Sequence, residues 1–170
     1  MELEKVIHSR RSIRKYKKDY IIPEEDIKKI LTSAMMAPSA CNTRPWEFIV
    51  ITNQELKHQL VEVHPHARMI LDASVCIIII GRDDLQKGIC NGYWPEDCGA
   101  ATENILLTSY DLGYGSCWCG VYPNEERVNK IKDILNIKVG IPFNIIAIGK
   151  ADENPLCKGK YEENKVKYIK

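Results

Sequence analysis

Three arginines and a serine stand within five residues near the start of the chain, Arg10, Arg11, Ser12 and Arg14, with Ser9 and Lys15 on either side. Each guanidinium offers several N–H donors in a fixed fork, and the serine hydroxyl adds another. Such a set suits the oxygens of a phosphate monoester. Taken alone, the cluster leaves two readings open, an anion grip and a solvated basic turn. The whole chain narrows the partner. It carries 24 Lys and Arg against 23 Asp and Glu, a formal net charge of +1, whereas coating by nucleic acid calls for a broad cationic face. The usual nucleotide loops are missing as well. Gly113 and Gly115 begin a G-x-G, but Trp118 stands where the third glycine belongs, and GxxxxGK[ST] occurs nowhere.

A second polar stretch, "APSACNTRPWEF" (Ala37 to Phe48), offers Ser39 and Asn42 on a short turn closed by Pro45 and Trp46. It reads as a rigid loop between a helix and a strand. Seven cysteines are scattered along the chain. No CxxC appears, and the single CxC, Cys117 and Cys119, has no second pair at zinc-ribbon spacing, so no metal ligands are assigned. His64 and His66 form an H-x-H with no clear third ligand, in what reads as a surface turn.

The elements that must position these residues follow from periodicity. Leu3, Val6 and Ile7 predict a helix over residues 2–9 that delivers the arginines on its exit turn. Pro23 with Glu24, Glu25 and Asp26 opens a second helix, whose apolar face is Ile27, Ile30, Leu31 and Ala34 and which Pro38 stops. "WEFIVIT" reads as a strand. Asn53 caps a helix bearing Leu56, Leu60 and Val63, and one helical turn follows the His/Pro segment. Val75 to Ile80 is a continuously apolar strand covered on both faces. After an irregular stretch over Gly88 to Pro95, "EDCGAATENILLTSYDLG" predicts a buried helix with Gly113 at its C-terminal end. "PNEERVNKIKDIL" is an amphipathic helix, Phe143 to Gly149 a third strand, and "KVKYI" a short strand-like piece in a polar tail.

These motifs together resemble the FMN-dependent nitroreductase family. "RRSIRKY" followed about 25 residues later by "APSACNTRPWEF" is similar to that family's paired signature. "DCGAATENILLTSYDLGYGSCWCGVYP" is similar to its central helix and the flavin loop after it, and "IPFNIIAIGKADENPLCKGKYEENKV" to its closing strand and tail. The resemblance implies an α+β nitroreductase-type fold over residues 1–170 as one domain, with a central, mostly antiparallel sheet flanked by helices. It further implies a tight homodimer with FMN at the interface and a C-terminal tail extended onto the partner subunit.

Carried onto this sequence, the resemblance gives Arg10, Arg11, Ser12 and Arg14 to the FMN phosphate, ribityl chain and pyrimidine edge. Pro38, Ser39, Ala40 and Asn42 reach the same flavin from the partner subunit. Cys117 and Trp118 lie along the ring, the backbone N–H groups of Cys119 and Gly120 face N5 and O4, and His66 stands near the flavin. Lys158 and Lys160 close on the phosphate. Arg44 departs from the family pattern, which has glutamine before Pro-Trp, and adds a cation near the site.

The activity implied is transfer of hydride from NADH or NADPH, through the flavin, to a nitroaromatic, quinone or similar acceptor. No side chain is required as an obligatory acid or base. Two other readings stay open, a specialised flavoenzyme on the same scaffold (a dehalogenase or flavin reductase) and a non-catalytic thiol or metal redox sensor. No apolar run approaches the roughly 18 residues of a membrane span, and the first residues lack the apolar core of a signal peptide. The expected setting is cytoplasmic, with neither nucleic acid nor membrane as partner.

Overall fold

The computed structural model describes residues 2–156 and 159–170. Five helices, α1 (Leu3–Ser9), α2 (Glu24–Met35), α3 (Gln54–Val63), α4 (Trp94–Asp111) and α5 (Glu125–Ile134), surround four strands, β1 (Trp46–Ile51), β2 (Val75–Gly81), β3 (Gly115–Gly120) and β4 (Ile141–Gly149). The strands form one sheet in the order β1-β2-β4-β3, with every neighbouring pair antiparallel.

The side chains of β2 explain why its sequence is apolar throughout. Successive residues of a strand face opposite sides, and here both sides are covered. Val75, Ile77 and Ile79 pack with Ile146 and Ile148 against Ile30 and Ala34 of α2 and Trp94, Cys98, Ala101 and Ile105 of α4. Cys76, Ile78 and Ile80 pack on the other face with Ile145 and Ala147, against Leu60 of α3 and Val128 and Ile131 of α5. The stripe on α4 recurs at intervals of three and four, which keeps one side of an 18-residue helix on the sheet. Pro142 cannot donate to the ladder, and it sits where the β2–β4 register shifts.

Local signals account for the ends of the helices. The Asn53 side chain accepts from Leu56 N at 2.9 Å, and Asn124 accepts from Arg127 N at 2.9 Å, so both caps satisfy first-turn amides. Gly113 takes φ +85° just beyond α4, the left-handed geometry that favours glycine at a helix end. Two expectations are corrected. "GSCWCG" after α4 is the edge strand β3 rather than a loop, so the sheet has four strands instead of three. The tail piece "KVKYI" forms no strand; among the described residues the tail carries only a 3-10 turn at Glu163–Lys165.

Candidate functional site

The arginine segment leaves α1 and is laid along the open edge of β3. Ile13 N donates to Ser116 O at 2.9 Å, and Ser12 bridges Ser116 in parallel sense. Tyr16 anchors the segment from below, donating to Ile13 O at 2.7 Å. Farther on, Lys17 N donates to Lys150 O at 2.8 Å and Asp152 N to Lys15 O at 2.9 Å. The approach is close enough to demand glycine at 115, where an added Cβ would lie 2.8 Å from Ile13 Cβ.

The cations divide their work. Arg11 turns back and donates to the carbonyls of His8 and Arg10, closing the C-terminal end of α1. Arg10 Nε lies 3.6 Å from Glu103 on α4, a half-exposed pair worth little energetically. The Arg14 side chain is exposed while its backbone N–H, with that of Lys15, grips the Glu153 carboxylate. Both Arg10 and Arg14 act on Cys117. Its thiol is lowered to about 7, first by a hydrogen bond from Cys119 and then by Arg14 and Arg10, against the opposing effect of burial. Cys119 is pushed up by the same hydrogen bond and by burial. The two thiols point into the α3/α5 face of the core.

The parity of β3 decides which backbone groups are available. Ser116 O is used on the outer edge by Ile13 N, and Val121 N on the inner side by Phe143 O at 3.0 Å. N–H and C=O of one strand residue point to the same side, and the sides alternate. Trp118 and Gly120 therefore present their amides outward, whereas Cys119 directs its amide to β4. Of the two amides that the resemblance assigns to the flavin ring, Gly120 is the one the ladder leaves free. A Cβ at Gly120 would meet no atom within 4 Å, so the space over it is open. Trp118 is 38% exposed, its ring tilted against Phe143 at 5.8 Å between ring centroids.

The Pro38–Asn42 stretch, in the loop after α2, docks on α4. Ala40 N donates to both oxygens of Asp97 (3.0 and 3.2 Å), and Gln86 Nε2 donates to Asp97 Oδ2 at 2.7 Å and to Thr43 Oγ1 at 3.2 Å. Asp97 and Gln86 are buried residues that the sequence reading missed; the signal was an aspartate among the small residues of a buried helix. Asp97 and Glu103 are six residues apart, about 9 Å of helix axis, so α4 holds both motifs at separate stations. Among the described residues no hydrogen bond or ion pair joins them within one chain. Ser39 Oγ accepts from Arg44 N at 2.9 Å, and Asn42 Oδ1 accepts from Arg44 Nε at 3.2 Å. Arg44 thus braces its own loop, in which Cys41, Asn42 and Arg44 all have positive φ.

His66 is exposed beside the end of β3. His64, placed by the sequence in a surface turn, is instead buried, its Nε2 2.9 Å from Gly120 O. Lys160 is exposed in the tail, and Lys158 lies outside the described residues. Among the described residues no three His, Cys, Asp or Glu side chains gather as a metal site.

These residues fit a phosphorylated flavin. Cations are concentrated where the arginine segment covers the N-terminal half of the β3 edge, an outward amide and open space occupy its C-terminal half, and the buried Ser116 Oγ has no partner among the described residues.

Comparison with known proteins agrees. The sequence profile of the Nitroreductase family matches residues 7–150. A protein of Methanothermobacter thermautotrophicus named "Putative NADH dehydrogenase/NAD(P)H nitroreductase" is 43% identical over 167 residues, covering 98% of this chain and 86% of that protein. A solved structure from Parabacteroides distasonis with the same protein name has a TM-score of 0.91 at 31% identity, covering 98% of this chain and 96% of that one. The FMN-dependent nitroreductase of Clostridium difficile R20291 has a TM-score of 0.86 at 31% identity, covering 97% and 98%. With the fold, the paired motifs and these matches in agreement, the chain belongs to the nitroreductase family.

Proposed function

We propose that the protein is a homodimeric, FMN-dependent oxidoreductase that takes reducing equivalents from NADH or NADPH and delivers them to nitroaromatics, quinones or similar small acceptors. The observation that carries this reading is the β3 edge, where the arginine segment and the free Gly120 amide lie along one strand. When bound, FMN supplies the two-electron chemistry, accepting and donating hydride at N5.

The chain's own residues bind, orient and tune. Arg10, Arg14 and Ser12 hold the phosphate and the pyrimidine edge, where a positive charge favours the anionic reduced ring. Arg11 holds the exit of α1 in place and adds charge. Cys117 and Trp118 border the ring, and Gly120 N–H faces its redox-active edge. Pro38, Ser39, Ala40 and Asn42 reach the partner subunit's flavin from a loop that Asp97 and Arg44 make rigid. Lys158 and Lys160 approach the phosphate from the tail, which extends onto the partner. In support of that last placement, Leu156, Tyr161, Tyr168 and Ile169 are strongly exposed in the single chain, Ile169 to 88%. Six described cysteines are free thiols, in keeping with a reducing, cytoplasmic setting.

Equilibrium FMN binding to R10A and R14A tests the reading. Each single variant is expected to lose about 1.5 to 3 kcal/mol of affinity, the cost of a charge-assisted contact. Wild-type affinity in both variants would give the cluster another role.

A further inference from the structure

At the far end of β3, two side chains from opposite flanks converge on one peptide oxygen. His64 leaves the end of α3, with its backbone N–H on Leu60 O at 2.9 Å and its carbonyl accepting from Ala67 N at 2.8 Å. Its Nε2 lies 2.9 Å from Gly120 O. Arg127 stands in the first turn of α5, fixed by its own backbone N–H on Asn124 Oδ1, and its Nη1 donates to the same oxygen at 3.1 Å. The His64 ring is also held edge-on by His66, with centroids 6.3 Å apart.

This arrangement costs stability. His64 is 4% exposed, and both its Nδ1 and Arg127 Nε are buried with no partner among the described residues. Orphaned buried polar atoms of this kind call for an explanation. Simply satisfying a carbonyl at an exposed strand end does not supply one, because water can do that. Gly120, however, has no side chain, nothing near its Cβ position, and the widest backbone freedom of any residue. Its C=O lies in the peptide shared with Val121 and its N–H in the peptide shared with Cys119, so a clamp on the oxygen limits the one pair of torsions, φ and ψ of Gly120, that relates the two. Beyond it, Val121 N and Tyr122 N both donate to Phe143 O at 3.0 Å, which fixes the following residues.

We infer that His64 and Arg127 are positioning residues that together fix the backbone torsions of Gly120, so that its N–H is presented to the redox-active edge of the bound flavin. The inference rests on the flavin reading above. It adds residues that touch neither the phosphate nor the ring and act through one backbone oxygen. Burial, followed by the Arg127 charge, lowers the basicity of His64. The neutral ring then donates through Nε2–H and leaves Nδ1 bare.

The experiment compares the FMN-loaded wild type with H64L/R127M, R127M and H64Q, glutamine being able to place an amide donor near the Nε2 position. Selective 15N-glycine labelling reads amide hydrogen exchange at Gly120, with Gly115 and Gly149 as ladder controls. Spectroelectrochemistry reads the flavin midpoint potential, and stopped-flow reads reduction by NADH or NADPH. In H64L/R127M, or in R127M should the double variant not fold, Gly120 exchange is expected to rise and flavin reduction to slow, each by about tenfold. The midpoint potential should move to a more negative value, with Gly115 and Gly149 unchanged. H64Q should restore all three readouts to near wild type. A folded, FMN-loaded R127M or H64L/R127M with wild-type exchange, potential and rate overturns the positioning role while leaving the flavin reading intact. A wild-type protein that takes up no FMN overturns both.

Discussion

His64 is a neutral imidazole in a place that penalises its charge. Burial lowers its pKa most, the Arg127 guanidinium lowers it further and His66 adds a little, while the hydrogen bond to Gly120 O works in the opposite direction. In the unfolded chain the ring regains its ordinary value near 6.5. Below that pH the unfolded state takes up a proton that the folded state resists, so stability is full above about pH 6.5 and declines as pH falls toward the depressed folded value. Urea unfolding of wild type and H64Q between about pH 7.5 and 5 checks this. The acid-side decline should be shallower in H64Q, and identical slopes would count against it. At this scale the sequence showed residue types better than partners. Arg10, Ser12 and Arg14 could be singled out because like charges and a hydroxyl cluster locally. Asp97, Gln86, His64 and Arg127 could not, because their partners lie from 7 to 57 positions away, on other elements, and depend on how helices dock.

The site is an edge-strand device, since β3 has a neighbour only on one side and the arginine segment covers only its first half. That economy depends on Gly115. An alanine there places a methyl group 2.8 Å from both Cβ and Cγ1 of Ile13, in a segment held by the Ile13–Ser116 and Tyr16–Ile13 hydrogen bonds. Gly115→Ala is expected to cost about 1 to 3 kcal/mol of stability, as overpacking does, and to weaken FMN binding at the same time; thermal unfolding and an FMN titration measure the two. A variant with wild-type stability and affinity would show that the segment is free to lift off. The long periodic elements were legible from sequence because α4 and β2 bury enough apolar surface to impose their pattern. β3 was not, because "GSCWCG" has two glycines and no β-branched residue, and only its place between β4 and the arginine segment makes it a strand.

For the molecule as a whole, α4 organises the function. It forms the core with its apolar stripe, meets Arg10 at Glu103 and holds the Ala40 loop at Asp97. Two motifs about 9 Å apart along one helix serve two different flavins if the chain works as a pair, each motif completing a site begun by the other subunit. No helix is long and apolar enough to cross a membrane among the described residues. The central claim is therefore that two such chains build flavin sites that a nicotinamide can reduce. The most direct measurement is an anaerobic titration of the purified, FMN-reconstituted protein with NADH and with NADPH, followed by flavin absorbance. The account predicts one tightly held FMN per chain, bleached by at least one of the two nucleotides and recoloured by a quinone or nitroaromatic. A protein that retains no FMN, or whose bound flavin stays oxidised with both nucleotides, would contradict it.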